Sequence, residues 1–209
     1  MRKTNYLFFI ASACFLFMAF SQMNDKPYRS ANTDCINSGN SVLVIDSRQM
    51  DINNISTWYR TNGSFNRNPT TGNSGFEWPK GSGKAARYAS GIWMGCVSGV
   101  DTLTAIAEYS YDYVNGWVDN NGNPQGSDDP LYKTYLINRG NTTEPDYENW
   151  PVNQGAYTDS LGNPFFLGTQ TMFYSYTDAY PHGSGSTSLQ SLKAQILQTK
   201  WCYTNIGLE

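Results

Sequence analysis

The clearest pattern in the chain starts at Leu103. Leu103, Ala105, Ala107, Tyr109, Tyr111 and Tyr113 fall on every second position, with Thr104, Glu108, Ser110 and Asp112 between them and Ile106 as the one interruption. Successive side chains of a strand point to opposite faces, so this spacing predicts a strand with one apolar and one wet face. Ile92 to Val97 forms a second apolar run just before it. The intervening Ser98-Gly99-Val100-Asp101 reads as the loop of a β-hairpin.

Shorter runs repeat the theme. Ser41 to Asp46 predicts a first strand, Ile55 to Tyr59 a second and Tyr132 to Arg139 a further one. Met172, Tyr174 and Tyr176 alternate with Phe173, Ser175 and Thr177 in another. Ser188 to Tyr203 fits two periods: Leu189, Leu192 and Ile196 suit a helix, while Leu192, Ala194 and Ile196 with Trp201 and Tyr203 suit a strand, the reading preferred here. Asn115-Gly116 and Asp119-Asn120-Asn121-Gly122-Asn123-Pro124 are turn signals, and Gly140 to Pro164 is a long polar connection. No solenoid period and no internal boundary stand out. Many short strands with frequent turns predict an all-β fold, an antiparallel β-sandwich over residues 41–209. Because the last apolar run ends close to Glu209, the domain is expected to be the first part of a longer protein, with a final sheet that lacks a partner strand.

Composition narrows the function classes. Charged residues are 15% of the 209, against about 25% in an average soluble domain. With 14 Lys+Arg, 17 Asp+Glu and a formal charge of -3, the chain lacks the basic footprint of a nucleic-acid binder. Aromatics at 15% oppose disorder, and one histidine opposes His-based metal centres and Ser-His triads.

The first 21 residues read as a signal peptide: Arg2 and Lys3, an apolar run from Tyr6 to Phe20 too short for a bilayer span, and Ala19-Phe20-Ser21 as cleavage site. A retained anchor is the alternative. Cys14 lacks the branched residue three positions upstream that a lipidation motif carries. Cleavage removes two cations and no acid, taking the charge from -3 to -5, and leaves no membrane-spanning segment. Residues 22–40 read as a polar, flexible leader. The chain is thus expected outside the cell or on its outer surface, where disulfides are permitted. Cys35, Cys96 and Cys202 would remain with pairing undetermined, and Cys96, inside an apolar run, reads as a buried hydrophobe.

Candidate chemistry is sparse. Gly81-Ser82-Gly83-Lys84-Ala85-Ala86 mimics a dinucleotide loop, but Trp78-Pro79 precedes it and no helical period follows, so it reads as a turn. Asp119, Asn121 and Asn123 are spaced like calcium-loop ligands, yet Pro124 and Pro130 stand where a Gly and a bidentate Glu belong; a weak calcium site at these three is an expectation beside an ordinary hairpin loop. His182, in a Gly/Ser stretch, reads as an exposed loop residue. Glu77, Glu108 and Asp112 are the acids on predicted strands. Glu108 and Asp112 would lie roughly 13 Å apart, too far for a glycosidase pair, and read as part of a solvated face. No Gly-x-Ser-x-Gly elbow occurs. Trp58, Trp117 and Trp150 are the rings proposed for a sugar-stacking platform, against core packing as the plain alternative. No cofactor is expected.

Gly75-Phe76-Glu77-Trp78-Pro79-Lys80-Gly81-Ser82-Gly83-Lys84, followed by Ser90-Gly91-Ile92-Trp93-Met94-Gly95, resembles the N-terminal region of large exported proteins of Bacteroidota and Ignavibacteria-type bacteria, many of which carry a sorting domain for the type IX secretion system. Asn149-Trp150-Pro151, Gly155-Ala156 and Leu167-Gly168-Thr169-Gln170-Thr171 fit the same pattern, with Thr169 where the pattern favours Asp. The resemblance implies a β-rich surface protein handled by export machinery and continued by further modules; it offers no catalytic residues. The expected function is a structural or interaction module without catalysis, with glycans or other surface proteins as partners. Carbohydrate binding and a fragment of an extracellular hydrolase are the alternatives.

Overall fold

The computed structural model describes residues 45–107, 112–182 and 188–204. The signal peptide, the leader, Cys35, Glu108 and most of the first predicted strand lie outside the described residues. Two antiparallel sheets form the body. The first runs β1 (Ser47–Met50), β2 (Thr57–Arg60), β3 (Ser64–Phe65) and β6 (Ser90–Gly91). The second runs β12 (Tyr135–Asn138), β13 (Gln170–Thr177) and β14 (Gln195–Cys202), with β9 (Val114–Asn115) also paired to β13. Three two-stranded ribbons are added: β4 (Phe76–Glu77) with β5 (Ala85–Arg87), β7 (Trp93–Ser98) with β8 (Asp101–Ile106), and β10 (Trp117–Val118) with β11 (Pro124–Gln125). The fold is all-β, antiparallel and sandwich-like.

Alternation decides what each sheet buries. Met172, Tyr174 and Tyr176 of β13 face the first sheet, packing with Met50, Ala105, Ala107 and Tyr113 and with Tyr59, Ile92 and Ile196. Phe173 faces the other way, with Tyr135 and Ile137 of β12, Trp150 and Ala156. This second cluster lies under the connection that begins with α1 (Pro145–Glu148) and the 3-10 turn Val152–Gln154. β13 is therefore covered on both faces, and all eight of its residues are buried.

The predicted hairpin forms, with a tighter turn than expected: Ser98 pairs with Asp101, leaving Gly99-Val100 as a two-residue loop with Gly99 at φ +64°. Residues 188–203 give a strand, β14, over its second half. The first described strand starts at Ser47, one residue beyond the predicted run. Asp46 instead caps two neighbours: its Oδ2 accepts from the Thr134 amide at 2.8 Å, and its amide donates to Thr61 Oγ1.

Asp112 departs from expectation. It is buried, and its Oδ2 accepts from the Ile106 amide at 2.8 Å, closing the turn after β8. A carboxylate that satisfies an otherwise orphaned amide belongs inside, not on a solvated face.

The tyrosine cluster supplies a test. Tyr174 and Tyr176 stack at 5.6 Å, and Tyr113 meets Tyr176 edge-on at 5.5 Å. Tyr176 donates to Gln198 Oε1 at 2.7 Å, whereas the buried Tyr174 hydroxyl has no partner among the described residues. Tyr176→Phe should cost about 1 kcal/mol, while Tyr174→Phe should be neutral or stabilising, because it removes an unsatisfied buried hydroxyl. Urea unfolding of both variants checks the contrast.

Candidate functional site

β1 and β2 send alternate residues to opposite sides of their sheet. Met50 and Tyr59 go to the core, so Gln49 and Trp58, directly paired across the two strands, go to the outer face. Opposite them the Ser56↔Glu77 bridge brings in the β4–β5 ribbon. Gly75 closes on Trp58 so tightly that a Cβ there would stand 2.9 Å from Trp58 Cδ1 and 2.6 Å from the Asn68 nitrogen. The result is a cavity of about 230 Å³ lined by Gln49, Ser56, Trp58, Asn68, Glu77 and Lys84, among others.

Internal bonds fix the polar groups around this cavity. Gln49 Nε2 donates to Ser56 Oγ. Asn68 Oδ1 accepts from the amides of Thr70 (2.9 Å) and Thr71 (3.1 Å). Glu77 Oε1 accepts from the Gly83 amide. Among the described residues Gln49 Oε1, Asn68 Nδ2, Glu77 Oε2 and Lys84 Nζ are left without a protein partner. The Gly81–Lys84 segment is the β4–β5 turn, with Gly81 and Gly83 at positive φ, and not a phosphate loop.

A second cavity, of about 190 Å³, lies among Asp46, Asn115, Ser127, Asp129, Tyr132 and Lys133. Its polar groups are mostly spent on structure. Asn115 Nδ2 faces the carbonyls of Ser127 and Tyr132 at 3.2 Å each, and Lys133 Nζ reaches Asp146 Oδ1 at 2.6 Å.

The third feature is the β7–β8 ribbon. Every residue of β7 is exposed, including Trp93, Met94 and Val97, and Val100 at its tip is 98% exposed. Among the described residues each strand pairs only with the other, and the outer edge of β7 lies open among them.

The sequence-predicted residues scatter over these features. Trp58 lines the first cavity. Trp117 is exposed on β10, in a different sheet. Trp150 is core: it packs on Tyr135 and Phe173 and donates from Nε1 to the Tyr157 carbonyl at 2.9 Å, so it presents no face to a ligand. Cys96, expected inside, is exposed, because the apolar run containing it forms a ribbon that leaves the body. Cys202 is a second free thiol, half-buried and pushed up by burial.

His182, expected in solvent, is buried. Its Nδ1 lies 2.8 Å from the Ser188 carbonyl and its Nε2 3.1 Å from the Asp178 carbonyl. Asp178, fully buried, accepts the amides of Leu192 and Ala194 at 2.6 Å each. The pair fastens the chain entering β14 to the end of β13.

The Asp119 loop uses its own carboxylate. Asp119 Oδ1 accepts from the amides of Asn121 and Asn123 at 2.8 Å, and Oδ2 from Asn123 Nδ2 at 3.2 Å. Asp159 does the same with Leu161 and Asn163. These are two copies of one turn, spelled Asp-x-x-Gly-Asn-Pro at 119–124 and 159–164, and that short repeat was the signal available in the sequence. Among the described residues no three His, Cys, Asp or Glu side chains are grouped to hold a metal ion, and no helix is long and apolar enough to cross a membrane. No protein-family model matches the chain, and neither a curated protein nor a solved structure matches it.

Backbone amides of Asn123 and Asn163 hold the Asp119 and Asp159 carboxyls below the usual range. A depressed folded value means that the two loops gain support above the unfolded carboxyl value and lose it as pH falls through the folded one. Carbon-detected NMR should show both carboxyls titrating at lower pH than those of an unfolded peptide, with the Asn123 and Asn163 amide shifts moving in step.

Proposed function

We propose that this chain is a non-catalytic interaction module of an exported, surface-located protein, and that its β7–β8 arm is the docking element. The observation that carries the reading is the edge of β7, open among the described residues, whose residues Trp93 to Ser98 include no charge, no proline and no interruption of register against β8. Natural sheets blunt exposed edges with such devices, and an edge without them accepts another strand. The partner it fits is an extended, apolar-alternating segment of a neighbouring surface polypeptide, added by main-chain hydrogen bonds. The basic start, the apolar run from Tyr6 to Phe20 and the resemblance to exported proteins support the location. The acids and the histidine engaged in buried bonds serve the backbone, and no reaction is assigned.

Two measurements test this. Fractionation should find the mature chain in the medium or on protease-accessible outer surface; a cytoplasmic mature chain would overturn the location. Extended heptapeptides panned against the purified chain should yield binders that slow hydrogen exchange at the β7 amides. Val97→Lys, an edge guard, should weaken them about tenfold. Binders indifferent to Val97→Lys, or none at all, would remove the arm from the account.

A further inference from the structure

The Trp58 cavity lies on the outer face of the first sheet and asks for a different ligand. Four of its lining residues carry a polar side-chain atom uncommitted among the described residues: Gln49 Oε1 and Glu77 Oε2, which accept, and Asn68 Nδ2 and Lys84 Nζ, which donate. One acid and one base leave the rim without net charge. The aromatic surface is Trp58, with Phe76 also in the lining, and Gly75 lets its backbone pack directly against the indole and the Asn68 backbone, which fixes the ring at the cavity wall.

We propose that this cavity binds one ring of an uncharged saccharide. A sugar hydroxyl both donates and accepts, so a pair of neighbouring hydroxyls satisfies an acceptor and a donor together. A carboxylate ligand would serve the two donors and leave the two acceptors unpaired; an ammonium would do the reverse, and each desolvated, unpaired group costs affinity. The apolar face of a sugar ring suits an indole, which provides a large apolar surface at little entropy cost. At about 230 Å³ the cavity is smaller than the roughly 300–1,000 Å³ of sites that enclose a drug-sized ligand. It therefore holds a single ring, and the rest of an oligosaccharide continues into solvent. This inference goes beyond the arm reading and does not rest on it, because the cavity is built by β1, β2, β4 and β5.

The mature chain, with its arm intact, is titrated with tetrasaccharides of glucose, mannose, galactose, xylose and N-acetylglucosamine. Sodium acetate and butylammonium chloride serve as charged probes, and calorimetry and tryptophan fluorescence are the readouts. At least one tetrasaccharide is expected to bind. Trp58→Ala should weaken it by more than about tenfold. Asn68→Asp keeps the turn acceptor and replaces only the free donor, so it should weaken binding about tenfold with the fold preserved by circular dichroism. Trp117→Phe should leave binding unchanged. Binding of acetate or butylammonium in place of the saccharides would overturn the proposal, as would saccharide binding insensitive to Asn68→Asp and Trp58→Ala, or no saccharide binding at all. Heptapeptide capture by the arm is scored on the same preparation, so loss of one reading is visible independently of the other.

Discussion

The structure depends on burying β13 from both sides. Its eight residues have no solvent face, so its neighbours are dictated: β9, β12 and β14 must satisfy its main chain, and two separate apolar layers must cover its side chains. One layer is the first sheet, reached through Met172, Tyr174 and Tyr176. The other is the 145–166 connection, reached through Phe173. Among the described strands longer than two residues β13 alone is buried along its whole length, and the Trp58 cavity and the β7–β8 ribbon are built by other strands. The outer face of the first sheet and the strand β7 are the places where residues lie that this core does not claim.

Across the gap between the sheets the packing is not purely aliphatic. Lys200 of β14 extends its ammonium over the rings of Phe65 and Tyr59, at 4.8 and 5.3 Å from their centres, and its burial pushes the amine down from its ordinary value. The two rings offset part of what desolvation costs the ammonium. On the other side Asp146 plays the mirror role. It is held by Lys133 at 2.6 Å and Arg48 at 3.6 Å, and it accepts the Leu136 amide, tying β1, β12 and α1 to one carboxylate. Each layer is thus registered against its neighbour by a charge that touches two or three elements, which aliphatic contacts alone would leave free to slide.

What the sequence could reveal follows from periodicity. The alternation in Met172 to Thr177 and in Leu103 to Ala107 predicts strands because a one-residue slip would invert every face. The class of fold and the hairpin at Gly99-Val100 were legible on that ground. The side of each residue relative to the core was not. Cys96 lies in as apolar a run as Ile137, yet one is exposed and the other buried, because only the tertiary arrangement decides which ribbon is covered. His182 and Asp112 look like loop and surface residues until the amides and carbonyls they satisfy are known, and those partners are set by turns that carry no hydrophobic signal.

The cavity was half legible for the same reason. Trp58 drew attention as an aromatic, but Trp150 drew equal attention and is core. What separates them is that Trp58 shares a strand with Tyr59 and the core takes only one of two successive side chains. Once Tyr59 is committed inward, Trp58 must point out, and Gln49, its cross-strand partner, points out with it. Gly75 then has a reason to be glycine that no turn provides: its φ lies outside the left-handed region, and a side chain there would meet the Asn68 backbone and the indole.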